Sequence, residues 1–300
     1  MVEKLRHYPG IVSIYQIGSV SNPGISDIDI FAVFEDGVQA QGDPLLGLER
    51  WERYLVIHGL FGASRSHFIE AQRYTFFHNY RLLWGEQLES ESGEISVENR
   101  GALQSQIALE YLFKMFVDMA VEHAYGITRV RGLLLHVKGI MYDLQFLNVT
   151  SGNLYQLVQT MVQWRDHWFE ETPSREALLA WVERFYAELR AFIVHMIPTK
   201  PFYLPESANL CLAKNMQLTV SSQLGFSRRG VTLPSCFGWL GKKYFNVQHR
   251  FNRFNFQVPA VMTDIPGIVQ SRFDFLRRMK DYNARNLGSF TPLVSSLNVV

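Results

Sequence analysis

Two aspartates separated by one residue, Asp27 and Asp29 in Ser26-Asp27-Ile28-Asp29-Ile30, are the strongest chemical signal in the chain. If the segment is a strand, residues i and i+2 project from the same face, so the two carboxylates stand side by side while Ile28 and Ile30 enter a core. Two like charges that close are costly unless a cation or a shared proton offsets them. A hard divalent ion such as Mg²⁺ or Mn²⁺ is the natural partner for carboxylate oxygens and phosphates together. Upstream, seven residues separate Gly18-Ser19 from Asp27. The glycine permits close backbone approach, and the serine supplies a hydroxyl donor. A helix amino terminus is expected there too, with free N–H groups that favour phosphate.

The elements that would position these groups can be read from local patterning. Residues 11–17 are β-branched and aromatic and end at Gly18, which predicts a strand; residues 27–34 predict a second. Leu45, Leu48, Trp51, Leu55 and Ile57 recur at roughly helical spacing and predict a helix over 44–60. A further strand is expected within 67–77 and a short one over 81–85. From Glu98 the pattern changes to long apolar periodicity over 99–125, 127–147, 153–170 and 174–197, which predicts four helices packed as a bundle. Pro198, Pro201 and Pro205 mark a boundary. Beyond it, 210–221 and 243–258 show short alternating segments, and 268–286 reads as a helix that is basic on one side.

Ile17-Gly18-Ser19 followed by Asp27-Ile28-Asp29-Ile30 resembles the signature of the nucleotidyltransferase superfamily of the DNA polymerase beta type, which includes antibiotic and minimal nucleotidyltransferases. The resemblance covers residues 11–37, and more loosely 60–88, where Arg81-Leu-Leu-Trp-Gly85 is similar to a segment that often follows. It implies a third carboxylate on a later strand after an intervening helix, and Glu70 in Phe68-Ile69-Glu70-Ala71 is the acidic residue there. On this resemblance Asp27, Asp29 and Glu70 are catalytic residues and metal ligands, and Gly18 and Ser19 bind the nucleotide. The implied reaction moves a nucleoside monophosphate from an NTP to an acceptor hydroxyl, with loss of pyrophosphate. The acceptor is a small molecule, an RNA end or a protein. The alternative is an inactive nucleotide- or RNA-binding regulator on the same scaffold.

The implied fold class is α+β: a small mixed-sheet catalytic domain over 1–98, a helical domain over 99–198 and a basic region of undetermined fold over 199–300. Of the 300 residues, 47% are hydrophobic and 19% charged, which excludes a disordered chain and supports about two cores. The net charge of +1 is an average. Residues 199–300 hold 13 basic and four acidic residues, a balance of +9, against 16 basic and 24 acidic in 1–198, a balance of −8. These opposed regions could pair within the chain or across a homo-oligomer.

Within the basic region, Lys242, Lys243, Arg250 and Arg253 alternate with aromatic residues, a pattern suited to a polyanion such as RNA and equally to an amphipathic strand pair. Arg131 and His136 have a spacing seen in some helical ribonucleases, but with 21 arginines such spacings arise by chance, and a helix-face arginine with a satisfied histidine is the favoured reading. His67 reads as a surface histidine. Only Cys211 and Cys236 are present, too few for a disulfide framework, and no long apolar run appears. A reducing, cytoplasmic setting without a membrane partner is the expectation.

Overall fold

The computed structural model describes residues 1–18, 20–76, 78–89, 95–205, 214–293 and 296–297, and is a mixed α/β structure. Its elements run α1 (Val2–Leu5), β1 (Ile11–Ile17), β2 (Asp29–Phe34), α2 (Arg50–Leu55), β3 (Phe61–Ser64), α3 (Arg65–Ala71) and β4 (Arg81–Gly85). There follow α4 (Val97–Tyr125), α5 (Val130–Phe146), α6 (Asn153–Asp166), α7 (Arg175–Met196), β5 (Met216–Val220) and β6 (Gly225–Gly230). A 3₁₀ turn (Ser235–Leu240), α8 (Lys242–Phe251), β7 (Asn252–Val258) and α9 (Gly267–Asn286) complete the order. Among the described residues no helix is long and apolar enough to cross a membrane.

The chain divides into two compact units. The first joins Met1–Arg100 to Gln270–Val294, and the second comprises Gly101–Val269 with Ser295–Val300. This differs from the three-part division expected from the prolines: most of α9 and the segment that follows it belong with the amino-terminal sheet, and the basic region up to Val269 belongs with the helices.

In the first unit the sheet has the order β3-β2-β1-β4, with β1 antiparallel to β2 and β4, and β3 parallel to β2. The central strand β2 is buried from Ile30 to Phe34, so both sheet faces are covered. On one face Ile14, Ile30, Ala32 and Phe34 pack with Leu5, Leu60, Leu287 and Phe290. On the other, Tyr15 stacks on Phe68 with centroids 4.7 Å apart, and Phe31 and Tyr80 complete an aromatic cluster. The carboxy-terminal segment is tied to β3 itself. Asn283 Nδ2 donates to Gly62 O at 2.7 Å, and a side chain at Gly62 would meet Phe290 Cβ at 2.8 Å. Only glycine lets the two backbones approach this closely.

Three local expectations are corrected. The helix predicted over 44–60 is reduced to α2, because Pro44 to Gly47 form turns and a Glu49/Glu52 capping box starts the helix at Arg50. The strand predicted within 67–77 is instead helix α3, with β3 lying just before it at 61–64. Ser64 caps that helix, and Phe68 and Ala71 supply its buried face. The alternating segment from 243 is helix α8 up to Phe251, with only Asn252–Val258 a strand.

In the second unit the four predicted helices are present as α4 to α7. A three-stranded sheet of order β5-β7-β6 lays one face on α4. Phe254 and Phe256 of β7 meet Tyr125 and Phe116 edge-on at 5.7 and 6.4 Å between centroids.

Candidate active site

The site forms where β1 ends and β2 begins. Ile17 and Asp29 are cross-strand partners, so the chain leaves β1 at Gly18 next to the residue that opens β2. Gly18 has φ +70, a left-handed conformation that favours glycine, and a β-carbon there would meet nothing within 4 Å. The glycine is therefore demanded by backbone conformation rather than crowding. Ser19, expected to bind nucleotide, lies outside the described residues. The expected helix amino terminus is not found among the described residues that follow Gly18. A turn over Asn22–Ser26 takes its place, with the Ser26 amide donating to Asn22 O at 2.9 Å.

Asp27 precedes the strand and Asp29 opens it, which corrects the expectation that both lie within β2. Ile28, between them, donates its amide to Leu55 O at 2.7 Å and ties the segment to the end of α2. The two carboxyls nonetheless sense one another. Burial first, and then the charge of Asp27, push the Asp29 carboxyl from its ordinary 3.8 up to about 6, and nearby His58 offsets part of this. His58 Nε2 sits 3.3 Å from Asp27 Oδ2. No motif or spacing marks His58; only the path of the chain from α2 into β3 brings it there.

Glu70 is not part of this group. It lies on α3, half exposed, and its Oε1 accepts from Arg278 Nη2 of α9 at 2.6 Å. The strand that follows α2 and runs parallel to β2 is β3, and Phe61-Gly62-Ala63-Ser64 contains no carboxylate. Phe31 is level with Phe61, so continuing the register two residues back sets Gly59 opposite Asp29. The position level with Asp29 on this side is thus a glycine, with His58 before it.

Among the described residues no group of three or more His, Cys, Asp or Glu could hold a metal ion. The donor chemistry still fits one Mg²⁺ or Mn²⁺, because Mg²⁺ usually takes one or two protein carboxylates and completes its shell with water and substrate phosphates. A partly buried carboxyl held up by a second carboxylate is a site whose charge a divalent ion would relieve.

The remaining candidates fall elsewhere. His67 is not a free surface group: its Nδ1 lies 2.8 Å from Ser64 Oγ, its ring lies 5.0 Å from that of Tyr282, and burial lowers its pKa. In the second unit, His136 Nδ1 is 2.8 Å from Tyr111 Oη, an engaged helix-packing histidine. Lys242, Lys243 and Arg250 are exposed on α8, and Arg253 is exposed on β7. Cys236 is an exposed free thiol, and Cys211 lies outside the described residues. Compared with known proteins, the chain matches no family model, no curated protein and no solved structure.

Proposed function

We propose that the first unit is a metal-dependent nucleotidyltransferase of the DNA polymerase beta type, which moves a nucleoside monophosphate from an NTP to an acceptor hydroxyl. The observation that carries this reading is the Asp27/Asp29 pair beside the Gly18 turn, with the Asp29 carboxyl pushed up to about 6. In this reading Asp27 and Asp29 hold Mg²⁺ or Mn²⁺, which when bound neutralises triphosphate charge and polarises the phosphorus. The Gly18 turn lets the triphosphate approach the backbone. His58, in contact with Asp27, orients that carboxylate. Glu70 has no part in the reaction.

A second reading, binding of an NTP without transfer, is favoured by one observation: β3 carries no carboxylate to complete the site. The two readings separate in one experiment. The protein is incubated with each [α-³²P]NTP and Mg²⁺, with RNA or small hydroxyl compounds as acceptors, and both nucleotide binding and pyrophosphate release are measured. Transfer predicts label on an acceptor, with equal pyrophosphate release that is lost in Asp29→Asn. Mg²⁺-dependent binding with no release supports the second reading, and no Mg²⁺-dependent binding at all overturns both.

A further inference from the structure

The second unit carries a sheet face that neither the proposed transfer reaction nor the packing of the helices uses. Pairing of β7 with β5 and β6 fixes which side chains share it. Arg253 is level with Arg229, Asn255 with Gln217 and Ser227, and Gln257 with Thr219 and Gly225. The intervening residues Phe254, Phe256 and Val258 are buried on the opposite face. Side chains alternate along a strand, so the open face is built from Gln217, Thr219, Ser227, Arg229, Arg253, Asn255 and Gln257. Every one is an amide, a hydroxyl or a guanidinium.

Three observations favour a polyanion on this face. Arg229 and Arg253 stand directly opposite each other, an arrangement that like charges disfavour without a counter-charge. Arg253 is steadied by donating to His249 O and Arg250 O of α8 and to Asn252 O at 3.0 Å, while the Arg229 side chain has no hydrogen-bond or ion-pair partner among the described residues. From Lys214 to Thr263 the sequence holds seven Lys and Arg and no Asp or Glu. The amides are also arranged. Thr219 Oγ1 donates to Asn255 Oδ1 at 3.3 Å, and Gln257 Oε1 lies 3.3 Å from where a β-carbon on Gly225 would be. Amides that can both donate and accept suit base edges, and guanidinium groups suit phosphates. Acyl chains would find nothing apolar here.

We propose that this face of the β5-β7-β6 sheet binds single-stranded nucleic acid, with Arg229 and Arg253 holding phosphates and Asn255, Gln257 and Gln217 contacting bases. The proposal is independent of the transfer reaction. Its test is fluorescence anisotropy of the full chain with fluorescein-labelled (rU)₂₀ and (dT)₂₀ between 50 and 200 mM KCl. Wild type is expected to bind with a steep salt dependence. Arg229→Ala should weaken binding at least about fivefold at 50 mM and flatten the salt slope by about 0.7, the share of one phosphate on a single strand. Asn255→Ala with Gln257→Ala should weaken binding and leave the slope unchanged. Ser227→Glu, an exposed change that places a negative charge on the same face, should abolish binding even if Arg229→Ala proves unstable. The proposal is overturned if neither oligonucleotide binds at 50 mM, or if Ser227→Glu binds like wild type. It is equally overturned if Lys242→Ala with Lys243→Ala removes all binding while Arg229→Ala removes none. Binding to phosphatidylserine vesicles in place of either oligonucleotide has the same force.

Discussion

Arg278 of α9 donates to Glu70 of α3 at 2.6 Å, joining two residues 208 positions apart in the sequence. The contact engages the acidic residue that the sequence offered as a third metal ligand, and it does so on a half-exposed helix rather than on a strand. Exposed pairs of this kind contribute about 0–1 kcal/mol. Glu70→Gln should therefore leave nucleotide transfer or binding within about twofold of wild type and lower stability by less than about 1 kcal/mol. Asp27→Asn or Asp29→Asn should abolish the Mg²⁺-dependent signal. Parallel titrations with NTP and Mg²⁺ check both, and a large loss in Glu70→Gln would return that residue to the site.

Asp29 supplies a pH prediction. Its carboxyl is raised in the folded state from 3.8 to about 6, so the fold holds that proton more tightly than the unfolded chain does. Stability from this group is present below about pH 4, falls as pH rises to about 6, and stays reduced above that. Without metal, Asp29→Asn should therefore be more stable than wild type by roughly 1–3 kcal/mol at pH 7 and no different at pH 4. Urea unfolding at the two pH values is the measurement. Adding Mg²⁺ should narrow the gap at pH 7 by stabilising only wild type.

Phe290 tests the membership of the carboxy-terminal segment. It is buried with Leu287, Phe34 and Leu60, against the glycine of β3. Phe290→Ala should cost about 3–5 kcal/mol. Because the segment belongs to the first unit, amide exchange should accelerate in β1, β2 and β3, with α5 to α7 unchanged. Equal acceleration in α5 to α7 would contradict the division into units.

Gly18 distinguishes backbone conformation from crowding. With φ +70 and open space around its β-carbon position, Gly18→Ala should fold at a cost of about 1–2 kcal/mol. If the turn admits a triphosphate, the variant should also lose NTP affinity by more than its stability loss explains. Isothermal titration at a temperature where the variant is fully folded provides the check.

Much of this architecture is legible in the sequence because it rests on local periodicity. The Ile11–Ile17 and Arg81–Gly85 strands, the four helices from Val97 to Met196 and the helix ending at Asn286 all follow from apolar spacing bounded by glycine, proline or polar caps. The Asp27/Asp29 pair is equally local. What the sequence alone could not decide depends on partners far along the chain. Ser64 as a helix cap, with Phe68 and Ala71 turned inward, makes a helix of a segment that also reads as a strand. The docking of Leu287 and Phe290 assigns most of α9 to the first unit, although the prolines near 200 mark the boundary that composition shows. The position level with Asp29, Gly59 preceded by His58, is set by the parallel register of β2 and β3. Strand pairing and helix docking gain their energy from contacts across long sequence separations. Periodicity therefore reveals which face of an element is apolar, and only the tertiary structure reveals what that face meets.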